Sequence, residues 1–412
     1  MEISSVRDKI VNFIRTIDDW FYEDAKQTRV LFVYVNSHGF SCQIPVIEAL
    51  RKVDNIQLHV TTDKPYKVDK SNFSNANEYE TFKKAYTPYS KAIYKKWHLI
   101  VDSHVNGFYP KRNALRIGMH HGPGFGIMGR KIQLVKNYDV FFGLSQTERK
   151  HFENLEPGIF DRERAFFPIG FPKSDALINN VHSPEATRAR LNLDNRPVLL
   201  ITSHWAPIST LATFKQCLFE VLCQTFPECN IVQTGHPWLW SGHQQGEEVT
   251  QNLFEQLMTV DQKYKNAYFL PYENAEQLLK ISDLLVADHS SIITTYSLLY
   301  RPIVWFENPD LNFSIDEIGN IYRSASHVFS KLEELPNLCR QALTHPNEKA
   351  AGRQLMRETF YANPGRAGQR AAEILAKIGS TCSTKSPRWQ SVINESRKPS
   401  SDSQPIRSSV DQ

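Results

Sequence analysis

A pair of serines that follows an apolar run is the feature of this sequence best suited to binding phosphate. Residues 284–287 have the composition of a buried strand, and Asp288 and His289 connect them to Ser290 and Ser291, which open a predicted helix. The first turn of a helix has backbone N–H groups without intrahelical partners and carries a partial positive charge, so it stabilises an anion. The alternative interpretation is that Asp288 or Ser290 only caps the helix.

Two histidines follow other predicted strands. His121 comes after the run 115–119 and is followed by Gly122, and His236 comes after the run 231–233. In open parallel sheets, ligands bind beyond the carboxyl ends of the strands, which is where both imidazoles are expected. An imidazole can take a proton from an attacking hydroxyl, and a glycine lets the backbone approach a ligand closely. A single histidine is more often a structural residue, but these two are expected at the same edge as the serine pair.

Strands that end at a common edge must position these residues, and short β-rich runs that alternate with helical patterns predict such strands. The predicted fold is α/β, with two similar doubly wound domains that face a cleft. The predicted segments are an N-terminal amphipathic helix (1–28), an N-terminal acceptor domain (29–180), a linker (181–196), a C-terminal domain for the donor nucleotide (197–362), a closing helix (363–379) and a disordered tail (380–412).

The two ends of the chain have contrasting patterns. Large apolar residues recur at intervals of three and four between Val6 and Phe21, which predicts one apolar helix face. Either the core of the protein or an anionic membrane surface would cover that face. The closing helix is also amphipathic and is expected to pack across the interface between the domains. Residues 380–412 are rich in Ser, Pro, Lys and Arg, which predicts disorder.

Composition limits the function classes. The 412 residues include 48 basic and 44 acidic residues, and the formal net charge of +4 excludes a strong nucleic-acid footprint. The six cysteines lack CxxC spacing, so we expect reduced thiols rather than a disulfide framework. No apolar run reaches the roughly 18 residues that span a bilayer, and the N-terminus lacks the apolar core of a signal peptide. We therefore expect a cytoplasmic protein, with a peripheral contact to the inner membrane as an option.

Five segments, taken in order, form a recognisable pattern: His121-Gly122 with Pro123, residues 170–175, His236-Pro237, residues 281–303, and Gly365-Arg366-Ala367 with Arg370. The pattern resembles the CDP-glycerol glycerophosphotransferase family, which includes teichoic-acid and capsule polymer transferases. The segment with the serine pair is the most specific, because strand, serines, helix and Arg301-Pro302 recur in register. The resemblance covers residues 115–376 and implies a GT-B-like arrangement of two Rossmann-like domains.

The resemblance implies a role for each of the central residues. The two catalytic residues would be His121 and His236. His121 would be the general base that deprotonates an acceptor hydroxyl, and His236 would bind the phosphates of the donor or stabilise charge as the bond breaks. Ser290 and Ser291 would hold the donor diphosphate. The implied reaction is attack on the distal phosphorus of a CDP-alditol, with CMP as the leaving group and a surface-polymer or lipid-linked hydroxyl as the acceptor. Neither a metal nor another cofactor is implied.

The sequence departs from the family pattern near the predicted phosphate site. His204 stands in a segment where the family typically has an arginine, and His289 replaces the usual tyrosine before the serines. Both histidines are expected to serve, when protonated, as hydrogen-bond donors to the phosphates. The other residues predicted to bind substrate are Gly122, Gly170, Pro172, Asp288 and Arg370.

Two other functions fit the same pattern. A GT-B glycosyltransferase that uses a UDP- or CMP-sugar would need the same phosphate site and a histidine base. The nucleotide released separates the two reactions, because a CDP-alditol yields CMP and a UDP-sugar yields UDP. A non-catalytic binding protein with a GT-B-like fold would tolerate loss of both His121 and His236.

Overall fold

Two parallel six-stranded sheets form the framework of the protein, and each belongs to its own unit of the chain. In the computed structural model, one unit is Met1–Gly122, Lys131–Asp175 and Tyr361–Gln412, and the other is Pro123–Arg130 and Ala176–Phe360. The structure describes residues 10, 13–15, 17, 21, 26–73, 75–104, 106–124, 132–240, 247–381 and 383–398.

The first sheet has the strand order β2-β1-β3-β4-β5-β6, and every pairing in it is parallel. Its strands are short apolar runs, and β3 and β5 are buried along their whole length, as expected for a parallel sheet covered on both faces. The strands are β1 Thr28–Tyr34, β2 Ile56–Thr62, β3 Leu99–Asp102, β4 Leu115–Met119, β5 Val140–Gly143 and β6 Ala165–Pro168.

The second sheet has the order β12-β11-β10-β7-β8-β9 and is also parallel throughout. Three neighbouring strands, β10, β7 and β8, therefore end side by side, each just before a predicted site residue. The prediction of parallel α/β sheets is confirmed. The strands are β7 Val198–Ile201, β8 Asn230–Gln233, β9 Ala267–Phe269, β10 Leu284–Ala287, β11 Ile303–Phe306 and β12 His327–Phe329.

Helices connect most pairs of successive strands in both units, as is usual for parallel pairing. The exception is the connection from β3 to β4, where no described residue between 103 and 114 is helical. No helix in the described part of the chain combines the length and apolar character needed to cross a bilayer. The helices are α1 Ser37–Leu50, α2 Ala76–Ala85, α3 Tyr89–Ala92, α4 Gln133–Lys136, α5 Gln146–Leu155, α6 Asp175–Ile178, α7 Pro184–Arg190, α8 Thr210–Phe214, α9 Cys217–Thr225, α10 Glu247–Lys263, α11 Ala275–Ile281, α12 Ile292–Ser297, α13 Asp316–Ala325, α14 Leu335–Thr344, α15 Ala350–Phe360, α16 Ala367–Ile378 and α17 Trp389–Ser396.

The closing helix α16 packs against α1 within the first unit. That it also packs across a domain interface stays a prediction. Gly368 permits the close approach, because a Cβ atom there would lie 2.9 Å from Pro45. The carboxylate of Asp175 caps the helix by accepting hydrogen bonds from the backbone N–H groups of Ala367 at 3.1 Å and Gly368 at 2.8 Å. The segment 170–175 and α16 therefore form one structural joint.

The C-terminal segment is partly ordered, so the prediction of disorder over 380–412 is wrong for part of this range. In α17, Trp389, Val392 and Ile393 are buried at helical spacing. The Trp389 indole N–H donates to the carbonyl of Arg162 at 2.9 Å, and Arg149 donates to the carbonyl of Ser396 at 2.6 Å. Three apolar anchors hold the segment even though its average composition is polar. Residues 399–412 lie outside the described part of the chain.

Near the N-terminus the described positions 10, 13–15, 17 and 21 are helical, as predicted. Five of these positions carry exposed apolar side chains, and Arg15 donates to the carbonyl of Lys111 at 3.4 Å. Whether the protein core or a membrane surface covers the apolar face stays a prediction. Val6 and Trp20 lie outside the described residues. The exposed set is Ile10, Phe13, Ile14, Ile17 and Phe21.

We expect Gly170→Ala to lower the free energy of unfolding by at least about 2 kcal/mol. Gly170 has a φ of +91°, and a Cβ atom there would lie 1.9 Å from the carbonyl oxygen of Ala362. Gly107→Ala is the matched control, because no atom approaches its Cβ position more closely than 3.9 Å. Denaturant unfolding of the two variants measures the difference. Equal stability would contradict the structural role of Gly170.

Candidate active site

Asp288, directly after β10, organises the loops at the carboxyl edge of the second sheet. Its fully buried carboxylate accepts hydrogen bonds from the backbone N–H groups of His204 at 3.0 Å and Thr210 at 2.9 Å. The hydroxyl of Ser203 donates to it at 3.1 Å, and the backbone N–H of Ser290 at 3.2 Å. Protein groups thus donate hydrogen bonds to both oxygens, which gives Asp288 a positioning role. Its predicted contact with substrate stays a prediction.

The serine pair lies at the start of α12, as its place after the strand predicted. Ser290 and Ser291 are half-buried, and neither hydroxyl forms a short capping bond, since Ser290 Oγ lies 3.4 Å from the backbone nitrogen of Ile292. The chain after Gly122 runs beside this turn: the hydroxyl of Thr294 donates to the carbonyl of Pro123 at 2.7 Å. The turn therefore keeps two partly accessible hydroxyls next to the segment that follows His121 in the sequence.

Three imidazoles meet at the same edge, one after each of three neighbouring strands. His204 follows β7, His236 follows β8 and His289 follows β10. The ring centroids of His204 and His289 are 4.6 Å apart, and those of His204 and His236 are 5.8 Å apart. The structure thus brings together the three histidines that the sequence assigned to the donor phosphates. Together with the serine pair they form what we call the histidine group of the second unit.

Burial makes these imidazoles poor bases. Desolvation lowers the pKa of His204 to about 3, with smaller contributions from His289 and His236, and lowers the pKa of His236 to about 4. The pKa of His289 is also lowered by burial, against an opposing effect of the charge of Asp288. The three rings are therefore neutral at neutral pH in this structure. That His204 and His289 become protonated when they donate to bound phosphates stays a prediction.

Backbone contacts fix which nitrogen carries the hydrogen in two of the neutral rings. The Nδ1 atom of His204 accepts a hydrogen bond from the N–H of Ala206 at 3.0 Å, and Nδ1 of His236 accepts from the N–H of Trp238 at 3.2 Å. The hydrogen must then reside on Nε2, so each ring presents an N–H donor. In His289, Nε2 is buried and has no hydrogen-bond partner among the described residues. These are groups that a phosphate oxygen can satisfy.

We expect acid to destabilise the second unit through its histidines. The pKa of His204 falls from an ordinary value of 6.5 to about 3 on folding, so below pH 6.5 the unfolded state binds the proton more tightly. The contribution of His204 to the free energy of unfolding is fully present above pH 6.5. It decreases as the pH falls toward 3, by at most about 1.4 kcal/mol per pH unit. Denaturant unfolding of wild type and His204→Gln at pH 7.5 and pH 5 measures it. A stability difference between them that does not change with pH would contradict the assignment.

His121 in the first unit has the opposite protonation pattern. It follows β4, and its Nδ1 atom lies 2.9 Å from the carbonyl oxygen of Ser103. A carbonyl oxygen only accepts hydrogen bonds, so Nδ1 carries the hydrogen and Nε2 is the basic nitrogen. The adjacent His120 is buried and pairs with Glu148 at 2.8 Å, which is a structural arrangement. Of the two consecutive histidines, His121 is therefore the one suited to proton transfer.

The other predicted substrate-binding residues lie in the first unit. Gly122 is half-buried and directly follows His121. Gly170 and Pro172 are buried in the joint with α16, so their surroundings are those of packing residues. Arg370, on α16, is 3.4 Å from the carboxylate of Glu373. For these four residues, substrate contact stays a prediction.

Sequence reasoning missed several aromatic neighbours of the predicted residues. The ring of His104 stacks on His121, and Trp205 and Trp238 pack beside His236. His104 and Trp205 each lie just beyond the carboxyl end of a strand, β3 and β7, which is the signal that could have identified them. Among the described residues, no group of three or more His, Cys, Asp or Glu side chains has an arrangement that could hold a metal ion.

Solved structures share this fold. A variant of the wall teichoic acid polymerase TagF has a TM-score of 0.59 and 16% identity, and the match covers 92% of this chain and 99% of that chain. A TagF variant soaked with CDPG has a TM-score of 0.56 at 16% identity, over 92% and 98%. A putative UDP-N-acetylglucosamine 2-epimerase from Listeria monocytogenes has a TM-score of 0.55 at 13% identity, over 85% and 96%. These similarities define an α/β protein of the GT-B-like class.

The sequence also identifies the family within that class. The sequence profile of the CDP-Glycerol:Poly(glycerophosphate) glycerophosphotransferase family matches residues 19–376. The chain belongs to this family and is an enzyme of the CDP-glycerol glycerophosphotransferase type. The resemblance inferred from five sequence segments is confirmed. Comparison with curated proteins gives no significant match.

Proposed function

We propose that this enzyme transfers glycerophosphate from CDP-glycerol to a hydroxyl group of a surface-polymer or lipid-linked acceptor and releases CMP. The observation that carries the proposal is the opposite protonation pattern of its histidines. His121 has its basic nitrogen at Nε2, whereas His204 and His236 have N–H donors there. A phosphoryl transfer needs one base for the nucleophile and several donors for the phosphates, and these patterns supply both.

In the proposed reaction, Nε2 of His121 accepts the proton of the acceptor hydroxyl as its oxygen attacks the distal phosphorus of CDP-glycerol. A new bond forms between the acceptor oxygen and this phosphorus, and the bond from the phosphorus to the bridging oxygen breaks. The electron pair stays with CMP, which leaves as the phosphate anion. The proton on His121 then passes to solvent, and a phosphodiester remains on the acceptor.

The histidine group of the second unit is assigned to the donor. The Nε2–H groups of His204 and His236 donate to phosphate oxygens, and His289 contributes its buried Nε2 atom. The hydroxyls of Ser290 and Ser291 complete the set. Neutral N–H donors held in place by the backbone need little reorganisation as charge develops on the leaving phosphate, which is how such groups lower a barrier.

The proposal is tested by incubating the purified protein with CDP-glycerol, CDP-ribitol and a panel of UDP- and CMP-sugars, each with a glycerophosphate-primed lipid acceptor. We expect CMP release with CDP-glycerol that depends on the acceptor. UDP release, or CMP release from a CMP-sugar alone, would replace the proposal with a glycosyl transfer. Donor binding without release of any nucleotide would favour a non-catalytic role.

A peripheral contact with the cytoplasmic face of the inner membrane is part of this proposal. Its support is the set of five exposed apolar residues near the N-terminus, which is a pattern typical of helices that lie in a membrane interface. A lipid-linked acceptor would be presented at that surface.

We expect the double variant Phe13→Ser and Ile17→Ser to sediment with anionic phospholipid vesicles at least about fivefold less than the wild type. Removing two exposed apolar side chains reduces the area available for insertion, and each contributes roughly 1.5–3 kcal/mol when fully buried. The matched control is Leu155→Ser, an exposed apolar residue at the end of α5. If the double variant sediments with the vesicles as much as the wild type does, the proposed membrane contact is wrong.

A further inference from the structure

A cluster of side chains from α1 and from the end of β3 surrounds the imidazole of His121. The ring of His104 stacks on that of His121, with centroids 4.0 Å apart and planes inclined by only 12°. The ring of His38 meets His121 edge-on at 6.0 Å. The imidazole of His121 thus stacks face to face on His104 and makes a T-shaped contact with His38.

A buried hydrogen-bond network fixes the backbone of this cluster. The side-chain amide of Gln43, which is fully buried, donates to the carbonyl of Val33 at 3.1 Å and to the hydroxyl of Ser103 at 3.2 Å. That hydroxyl donates in turn to the carbonyl of Gly39 at 3.0 Å. Ser103 is therefore held on both sides, and its own carbonyl is the group that receives the Nδ1 hydrogen of His121.

Gly39 makes room for the stacked ring. A Cβ atom at this position would lie 2.5 Å from Cε1 and from Nδ1 of His104 and 2.8 Å from the hydroxyl of Ser103. The backbone φ of Gly39 is not in the left-handed region, so conformation does not require a glycine here. Space for His104 is the reason that the structure provides for the absence of a side chain.

We propose that His104 is a positioning residue for His121: its ring fixes the plane of the His121 imidazole, while the anchored carbonyl of Ser103 fixes which nitrogen is basic. The inference rests on the proposed function, in which His121 is the base. The physical reason is that a proton acceptor must keep its lone pair directed at the hydroxyl, and rotation of the imidazole about its hydrogen bond to the carbonyl of Ser103 would turn that lone pair away. A parallel ring at 4.0 Å blocks this rotation.

The kinetic test compares His104→Ala with His104→Phe. We expect alanine to lower kcat about tenfold while KM for CDP-glycerol changes less than about twofold, because the donor site is unaltered. Phenylalanine retains a flat ring and should restore kcat to within about threefold of the wild type. If both variants are equally impaired, or if alanine is harmless, stacking is not the function of His104. His345→Ala, an exposed histidine in the second unit, is the control.

A spectroscopic test separates this inference from the proposed reaction. In protein labelled with nitrogen-15 on histidine, the His121 signals of the wild type should report a single form with the hydrogen on Nδ1, without any turnover. His104→Ala should introduce a second tautomer or broaden these signals, and His104→Phe should not. If no donor reacts but the spectra change as expected, the proposed reaction is wrong, whereas the role of His104 in positioning the His121 ring is supported. Unchanged His121 signals in His104→Ala would overturn the inference.

A second variant guards against a misfolded His104→Ala protein. Gly39→Ala adds one methyl group that must displace the ring of His104. It should therefore reproduce the kinetic and spectral effects although neither histidine is substituted. Gly107→Ala serves as the matched control, since its Cβ position is open. A Gly39→Ala protein with wild-type kcat and wild-type His121 signals would also contradict the inference.

Discussion

His121→Asn should lower kcat for CMP release by a factor of about 10² to 10⁴, the usual contribution of a general base. Asparagine can still donate a hydrogen bond to the carbonyl of Ser103, but its amide cannot accept a proton at neutral pH. Binding of CDP-glycerol should change little, because the histidine group of the second unit is intact. Single-turnover kinetics measure the first effect, and titration calorimetry with the donor measures the second.

The control for this substitution is His345→Asn, which changes an exposed histidine after the end of α14. It should leave both the rate and the affinity within about twofold of the wild type. The assignment of the base would be wrong if His121→Asn kept most of its activity. It would also be wrong if the variant lost donor binding to the same extent as it lost rate.

Asp288→Asn should destabilise the second unit by about 3 kcal/mol or more and weaken donor binding with it. The carboxylate accepts bonds from backbone and side-chain donors on three segments of chain, and it does so with both oxygens. An amide has one oxygen, and its NH₂ group would face the N–H of Thr210 or His204. Buried donors left without partners cost about 1–3 kcal/mol each.

Denaturant unfolding measures the effect on stability, and titration with CDP-glycerol measures the effect on the donor site. Asp310→Asn is the matched control, because this aspartate belongs to the same unit and is exposed. It should change the free energy of unfolding by no more than about 0.5 kcal/mol. A stable Asp288→Asn protein that binds donor normally would show that the carboxylate does not organise the edge of the sheet.

Much of the framework could be read from the sequence, because buried parallel strands are short apolar runs and the residues after them lie at one edge of the sheet. This logic located His121, His236 and the serine pair. It could not reveal which nitrogen of each ring is protonated, since that depends on backbone groups such as the carbonyl of Ser103 and the N–H of Ala206. These contacts depend on the conformation of the loops, and loop conformation produces no periodic pattern in the amino-acid sequence.

The errors have physical causes as well. The tail was predicted to be disordered because its average composition is polar, yet three apolar residues of α17 suffice to anchor a helix. The sequence also did not reveal that the carboxylate of Asp288 accepts hydrogen bonds from three segments of the chain, because those segments meet only in the folded structure. The amphipathic pattern of the closing helix shows that one of its faces is covered, but it could not reveal that α1 covers that face.

The joint between Asp175 and α16 has a consequence for synthesis on the ribosome. The acceptor and donor groups of this cap are separated by about 190 residues of chain, and the sheet of the first unit is complete long before its last helix emerges. Residues 176–360 are contiguous and lie between the two partners. The later half of the nascent polypeptide therefore has all its own strands available while the earlier half still exposes the surface of α1 that α16 will cover. During this interval chaperones have an apolar surface to bind.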